Sequence, residues 1–153
     1  MPSGNIHNAS TLTVAATSAV IVLYQTRGDF HAALYCAGGA LIALVINPDL
    51  DVDGNYTTFD FCLAHPIAWI WRLFWRPYAV AFRHRSVGSH FPILSTFIRG
   101  LYILLWIWPF WLYYGWELPT LQAWMLWGGW GLILADGLHW FLDFIDNLLG
   151  GSL

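Results

Sequence analysis

The residues best suited to chemistry in this sequence are aspartates and histidines, which recur in short motifs along the chain. In Asp136-Gly-Leu-His-Trp-Phe-Leu-Asp143, His139 and Asp143 follow Asp136 by three and seven residues, so a helix places all three on one face. Imidazole and carboxylate groups together are a ligand set for Zn²⁺, Mn²⁺ or Fe²⁺. The motif therefore predicts a divalent-metal site. The alternative is a hydrogen-bonded polar pair between two helices.

Three further aspartates occupy every second position in Asn47-Pro-Asp-Leu-Asp-Val-Asp53. Because Asn-Pro initiates turns, the motif predicts either a metal-binding turn or a solvated acidic turn where a helix ends. It also resembles the start of an EF-hand calcium loop beginning at Asp49. Such a loop needs Glu at its twelfth position, where this sequence has Asp60, so an EF-hand is not favoured.

Two histidines enclose a short serine- and glycine-containing segment in His84-Arg-Ser-Val-Gly-Ser-His90. Two imidazoles this close together, with a glycine that allows a turn between them, favour a metal or phosphate site. Arg83 and Arg85 support the alternative, a basic loop that contacts lipid headgroups. Ser86 and Ser89 are also suitable caps for the helix that follows.

The other histidines and charged residues are interpreted from their positions. His7 lies near the start of the chain and is ambiguous by itself. Arg99 either extends to lipid headgroups or binds a substrate phosphate with its fork of donors. We expect Asp146 to be solvated, and we expect His31 and His65 not to be ligands.

The composition requires an apolar environment around these polar motifs. Of the 153 residues, 58% are hydrophobic and only 10% are charged, whereas soluble domains carry roughly 25% charged residues. The net charge is −3, and phosphate binding by a nucleic-acid-binding protein requires a basic face, so no nucleic-acid partner is expected. The composition indicates an integral membrane protein that contacts the lipid bilayer.

Four apolar segments are candidates for crossing the bilayer, which requires about 20 residues in a helix. They are residues 10–25, 30–47, 93–114 and 121–145. Residues 66–77 are aromatic but are interrupted by Arg72 and Arg76, which is typical of a helix at the membrane interface. We therefore predict a single all-α domain over residues 1–153. It is a four-transmembrane-helix bundle with an interfacial helix in the central segment 48–92.

The distribution of arginine sets the orientation. Four of the six arginines lie in segment 48–92, and the positive-inside rule then predicts that this segment is cytoplasmic, as are both termini. With four crossings, all the aspartate and histidine motifs reach the same end of the bundle. Ionisable groups at the edge of the hydrocarbon are costly and are by default functional. The convergence therefore predicts a cytoplasm-facing metal site.

Five motifs follow one another in a distinctive order: Ser3-Gly4 before His7, Asn47-Pro-Asp-Leu-Asp51, Trp75-x-x-Tyr78 before His84-Arg-Ser-x-x-Ser-His90, Arg99-Gly-Leu-Tyr102, and His139-x-x-x-Asp143. In this order they resemble a family of small bacterial and cyanobacterial membrane proteins described as metal-binding. That family is similar to the inner-membrane metal-dependent hydrolases, with their Pro-Asp-x-Asp and His-Arg-x-x-x-His signatures. The family usually has Ser where this chain has Asn47, a change that leaves the carboxylates untouched.

The resemblance covers nearly the whole chain and implies a bacterial inner-membrane or thylakoid protein. It also implies a metal site built by His7, Asp49, Asp51, His84, His90, His139 and Asp143. This set has more ligands than one ion needs, so one or two divalent ions are expected, Zn²⁺ first and Mn²⁺ or Fe²⁺ as alternatives.

Two hypotheses for function follow. In the first, the protein is a metal-dependent hydrolase of phosphoester or lipid-like substrates, because a bound divalent ion activates water. Asp53 and Asp136 then support the ligands or accept a proton, and Arg83, Arg85 and Arg99 hold the substrate phosphate. In the second, the protein is a non-catalytic small subunit of a larger, for example photosynthetic, membrane complex. Its partners are other membrane proteins and its metal is structural.

Overall fold

The computed structural model describes residues 4–51, 65–82, 86–115 and 122–150, and within these ranges the chain is helical with no strand. The helices are α1 (Gly4–Gln25), α2 (Phe30–Ile42), a 3₁₀ helix (Pro48–Asp51), α3 (His65–Ala81), α4 (Val87–His90), α5 (Pro92–Tyr114) and α6 (Ala123–Leu148). The predicted all-α class is confirmed. The tight turn after α1 leads directly into α2, where the Asp29 carboxylate accepts a hydrogen bond from the Ala32 amide at 3.0 Å.

Helices α1, α2 and α6 pack against one another, and α5 packs on α6. Small residues line the contact between α1, α2 and α6, where Ala15, Ala40 and Ala135 are buried together. Gly131 of α6 lies so close to α2 that a Cβ added to it would be 1.9 Å from the Cys36 carbonyl oxygen. Small residues of this kind allow two helix backbones to approach closely.

A second, aromatic cluster joins α3 to α5 and to the 3₁₀ helix. Trp75 and Tyr78 of α3 are buried, and Trp75 stacks on Tyr102 of α5 with ring centroids 5.1 Å apart. The Tyr102 hydroxyl donates a hydrogen bond to the Phe74 carbonyl oxygen. Leu50 of the 3₁₀ helix is buried in the same cluster. A helix is thus present where the sequence predicts one, as α3, and its aromatic side chains pack against Leu50 of the 3₁₀ helix. Its position at a membrane interface stays a prediction.

The helix boundaries differ from the prediction mainly in the first half of the chain. Helix α1 begins six residues before the predicted start at residue 10, which brings His7 into its first turn. Helix α2 ends at Ile42 instead of residue 47, because residues 43–46 form turns before the 3₁₀ helix. Helix α6 continues to Leu148, three residues past the predicted end.

Among the described residues, two helices are long and apolar enough to cross a membrane, Ile6–Gln25 within α1 and Pro92–Tyr114, which is α5. Helix α2 is apolar, but its 13 residues span about 20 Å, less than the roughly 30 Å of a hydrocarbon core. Helix α6 has 26 residues, yet its tryptophans, glycines and aspartates lower its hydropathy. Crossing by four helices therefore stays a prediction.

Candidate metal centre

The ends of four elements supply the polar residues of the site. Asp49 lies in the 3₁₀ helix after α2, and His90 ends α4 directly before α5. His139 and Asp143 lie in the last three turns of α6, and His7 lies in the first turn of α1. Neighbouring helices joined by short connections run antiparallel, so these ends meet at one end of the bundle.

Four side chains from three of these elements form a compact cluster. One ligand atom each from Asp49, His90, His139 and Asp143 lies within 4.8 Å of the other three. His139 Nε2 is 3.5 Å from Asp49 Oδ1 and 3.5 Å from Asp143 Oδ2. His90 Nε2 is 3.6 Å and 3.8 Å from the same two oxygens. The carboxylates therefore alternate with the imidazoles around a common centre.

These separations fit a metal ion better than direct hydrogen bonds. Nitrogen and oxygen ligands at 2.0–2.2 Å from a tetrahedral ion are about 3.3–3.6 Å apart. A direct hydrogen bond between an imidazole nitrogen and a carboxylate oxygen would be about 2.7–3.2 Å. In addition, His139 Nε2 is buried and has no hydrogen-bond partner among the residues that the structure describes. The donor set therefore fits one divalent cation.

Neighbouring side chains fix the orientation of the ligands. The Ser89 hydroxyl is 3.1 Å from His90 Nδ1, so this hydrogen bond leaves His90 Nε2 facing the two carboxylates. Ser89 in turn lies 3.0 Å from the hydroxyl of Ser86, the N-cap residue of α4. Asp49 is held between Pro48 and Leu50, both of which are buried. Tertiary packing therefore sets the positions of His90 and Asp49.

The charge of the cluster also suits a divalent cation. Burial by itself raises the pKa of the Asp49 carboxyl, but the imidazoles of His139 and His90 outweigh burial and hold that pKa below its ordinary value. Asp49 is therefore in the ionised form that binds metal. Two carboxylates would offset the charge of one divalent ion, which removes the penalty of burying uncompensated charge.

His7 adjoins the cluster without being one of its four members. Its ring stacks on the His139 ring with centroids 3.9 Å apart and planes inclined by 22°. His7 Nε2 is 3.5 Å from Asp143 Oδ1, the oxygen that does not face His139 and His90. The His7 side chain is 8% exposed, and neither ring nitrogen has a hydrogen-bond partner among the described residues.

A buried ion pair joins α5 to α6 one turn before His139. Arg99 is 1% exposed and its guanidinium donates to the carboxylate of Asp136, which is fully buried. The Thr96 hydroxyl donates to the same carboxylate oxygen. The first of the two alternatives for Arg99, that it extends to lipid headgroups, is therefore wrong, because the side chain is buried. Asp136 lies beside the cluster and is already bound to α5.

The structure brings together four of the seven predicted ligands and places a fifth, His7, against them. The side chain of Asp51 lies outside the described part of the chain, as do Asp53, Arg83, His84 and Arg85. His31 is exposed in the first turn of α2 and belongs to no metal-ligating group within the described ranges.

The expectation that Asp146 is solvated was wrong, because its side chain is 1% exposed. At 100° per residue, Asp136, His139, Asp143 and Asp146 fall within about 80° of one face of α6. That face packs into the bundle, so Asp146 is buried with the other three. The sequence spacing already contained this signal.

The sequence predicts Ser89 as part of a site segment or as a helix cap, but does not predict its hydrogen bond to His90. The aromatic cluster around Leu50 was missed as well, since the tryptophans were interpreted as contacts with the membrane interface. The positions of Leu50 between two aspartates and of Ser89 beside a candidate ligand were the available signals.

Comparison with known proteins supports metal binding, and the matched residues include His7, Asp49 and His90 but end before His139 and Asp143. Residues 2–133 match the family described as "Uncharacterized metal-binding protein (DUF2227)", and because this is most of the chain, the protein belongs to that family. No curated protein and no solved structure matches the chain.

Proposed function

We propose that this member of the metal-binding family is an integral membrane protein that binds a divalent cation, Zn²⁺ first, and hydrolyses a phosphoester or lipid-like substrate. The observation that carries the proposal is the cluster of half-buried Asp49 with buried His90, His139 and Asp143, whose ligand atoms all lie within 4.8 Å of one another. Mn²⁺ and Fe²⁺ accept the same donors and are the alternatives.

The ion supplies one kind of chemistry when bound: a divalent cation is a Lewis acid that polarises a substrate oxygen and activates water. The protein residues provide the rest. Asp49 and Asp143 neutralise the cation, and the hydrogen bond from Ser89 holds the His90 ring in its ligating orientation. The 3.5 Å separations around His139 keep its Nε2 directed at the centre of the cluster.

The roles of the polar residues around the site follow from their contacts. Arg99 and Asp136 are paired and buried, which favours a role in joining α5 to α6 over direct contact with substrate. Binding of the substrate phosphate is therefore assigned to Arg83 and Arg85, which flank His84 in the sequence. Asp53 is proposed as the acceptor of a proton, because it follows the ligand Asp49 by four residues.

The proposed membrane position uses the two long apolar helices. Only 28% of the apolar window in α1 and 11% of that in α5 are buried inside the protein, so both helices present most of their side chains outward. Lipid is the environment in which such surfaces are stable. If α2 and α6 cross the membrane as well, the positive-inside rule predicts that the metal cluster and both termini lie on the cytoplasmic side.

The first experiment measures metal content. The wild-type protein, purified in mild detergent without chelators, is analysed by inductively coupled plasma mass spectrometry beside His139→Ala and His31→Ala. We expect stoichiometric metal in the wild type and in His31→Ala, whose histidine is exposed, and a loss in His139→Ala. Absence of metal from all three after incubation with Zn²⁺ would refute the metal site.

The second experiment tests hydrolysis. The Zn²⁺-loaded protein is incubated with phospholipid vesicles and with soluble phosphate esters, and released phosphate or headgroup is measured. Activity that is present in the wild type and absent in His139→Ala supports the hydrolase. Full metal loading without turnover on either substrate class rejects it.

The exposed surface of α5 favours a second candidate function, that of a non-catalytic subunit of a membrane complex. Large apolar side chains of this helix are exposed, including Phe97, Leu105 and Phe110. Another membrane protein could cover them as well as lipid does. Co-purification with a large assembly in mild detergent supports this candidate, and a homogeneous small particle with hydrolase activity contradicts it.

A further inference from the structure

The carboxylate of Asp143 faces two different sets of partners. Its Oδ2 points to His139 Nε2 at 3.5 Å and to His90 Nε2 at 3.8 Å, inside the four-residue cluster. Its Oδ1 lies 3.5 Å from His7 Nε2. A carboxylate whose two oxygens lie beside different imidazole nitrogens can bridge two metal ions.

His7 is buried, and its Nε2 lies beside the carboxylate of Asp143. It is 8% exposed, and both of its ring nitrogens lack a hydrogen-bond partner among the described residues. The distance of 3.5 Å to Asp143 is too long for a strong hydrogen bond to a carboxylate, which is about 2.7–2.9 Å. The same distance is the expected separation of two ligands on one ion, about 3.3–3.6 Å.

The ring of His7 also stands in the right place relative to the first site. It lies parallel to the His139 ring, with centroids 3.9 Å apart. Two ions bridged by a carboxylate in hydrolytic sites are about 3.5–4 Å apart. Two stacked imidazoles at this spacing, each facing a different oxygen of Asp143, could therefore each bind its own ion.

We infer that the protein holds a second divalent cation, bound by His7 Nε2 and Asp143 Oδ1, and that Asp143 bridges it to the ion of the first site. The inference rests on the proposed first site, because the bridge requires an ion on Oδ2. Two protein ligands leave most of the coordination positions of the second ion open. These positions suit the oxygens of an anionic substrate such as a phosphoester, so the second ion would define the substrate class.

The test counts ions and measures whether they are coupled. Wild-type protein, His7→Ala and the control His31→Ala are stripped, loaded with Mn²⁺ and examined by metal analysis and electron paramagnetic resonance. We expect two ions per chain with an exchange-coupled spectrum in the wild type and in His31→Ala. In His7→Ala we expect one ion with the hyperfine pattern of isolated Mn²⁺. His7→Gln, which keeps most of the side-chain volume and ligates poorly, repeats the test if His7→Ala does not fold.

The outcomes separate this inference from the proposed function. One ion per wild-type chain, with an isolated spectrum, overturns the second ion and leaves the first site standing. Two ions in both wild type and the His7 variants show that His7 is not a ligand and overturn the assignment. No bound ion in the wild type rejects the proposed first site and, with it, the second.

Discussion

Substitution of Gly131 by alanine should weaken both the fold and the metal centre, although Gly131 is not a ligand. The added Cβ would lie 1.9 Å from the Cys36 carbonyl oxygen and 2.8 Å from the Ala40 nitrogen, both in the backbone of α2. Ordinary contacts between carbon and carbonyl oxygen are about 3.3–3.6 Å, so α2 and α6 would have to separate locally by about 1.4–1.7 Å. Backbone atoms cannot rotate away as a side chain would.

The expected magnitude follows from this clash. Overpacking of a close interface costs about 1–3 kcal/mol of the free energy of unfolding. Gly129→Ala is a matched control, because it makes the same chemical change in the same helix at a position with nothing within 4 Å of the new Cβ. In the control, alanine improves helix propensity by up to about 1 kcal/mol relative to glycine.

The clash should also reach the metal centre. Asp49 follows α2, and His139 lies eight residues after Gly131, which is about 12 Å along α6. If α2 moves away by about 1.5 Å, the distance of 3.5 Å between Asp49 Oδ1 and His139 Nε2 would approach 5 Å. That exceeds the ligand separation of about 3.3–3.6 Å around a tetrahedral ion, so metal affinity should fall.

Thermal unfolding followed by circular dichroism, together with metal content, measures both effects. For a protein of this size, about 1 kcal/mol corresponds to roughly 2–4 °C in Tm. We therefore expect Gly131→Ala to melt roughly 2–12 °C below Gly129→Ala and to retain less metal. Equal Tm and equal metal content in the two variants would refute the close α2–α6 contact as the support of the site.

Three further predictions concern the site and its surroundings. Chelation should lower the Tm of the wild type and leave the Tm of His139→Ala unchanged. The loss corresponds to about 2.7 kcal/mol when metal was present at about 100 times its Kd. An equal shift in both proteins would contradict the site. Asp136→Asn leaves Arg99 buried without the charge of its partner, so we expect the free energy of unfolding, measured by urea titration, to fall by about 3–5 kcal/mol. The double variant Asp136→Asn/Arg99→Met should recover part of this loss. Full wild-type stability of the single variant would disprove the pairing. Bound metal should decrease between about pH 7 and pH 5, because protons compete with metal for imidazole nitrogens. The lowered pKa of Asp49 keeps its carboxylate ionised in this range, so its protonation requires stronger acid. Unchanged metal content at about pH 5 would contradict this prediction.

The helices could be predicted from the sequence better than their ends. Apolar composition located α1, α2, α5 and α6, because burial and lipid both require apolar side chains. Hydropathy does not determine where backbone hydrogen bonding starts, so the six residues before position 10 that belong to α1 were missed. The residue before Pro48 marks the latest possible end of α2. The helix in fact ends at Ile42, and the chain after it places Leu50 in the aromatic cluster, a tertiary contact that the sequence pattern does not contain.

Within the site, contacts between residues of one helix could be predicted from the sequence, whereas contacts between distant segments could not. Helical spacing is a property of one segment, so it identified His139 and Asp143 as neighbours on one face. The pairing of Asp49 with His90 joins two segments that the aromatic cluster brings together, and no spacing rule contains it. The resemblance to the metal-binding family provided the set of ligands but not their grouping around one centre.

The positions of the ligands depend on two independent contacts, and this determines how metal removal must be interpreted. The small-residue contact of α2 with α6 sets the distance from Asp49 to His139, and the aromatic cluster sets the position of Asp49 relative to His90. A bound ion therefore cross-links segments that are distant in the sequence, and such a cross-link stabilises the fold whether or not it catalyses a reaction. Loss of activity on chelation alone would then report on folding as much as on chemistry. Hydrolysis is established only by a variant that keeps the fold and the first ion and still loses turnover. We expect His7→Gln to be such a variant, because it removes a ligand of the proposed second ion alone.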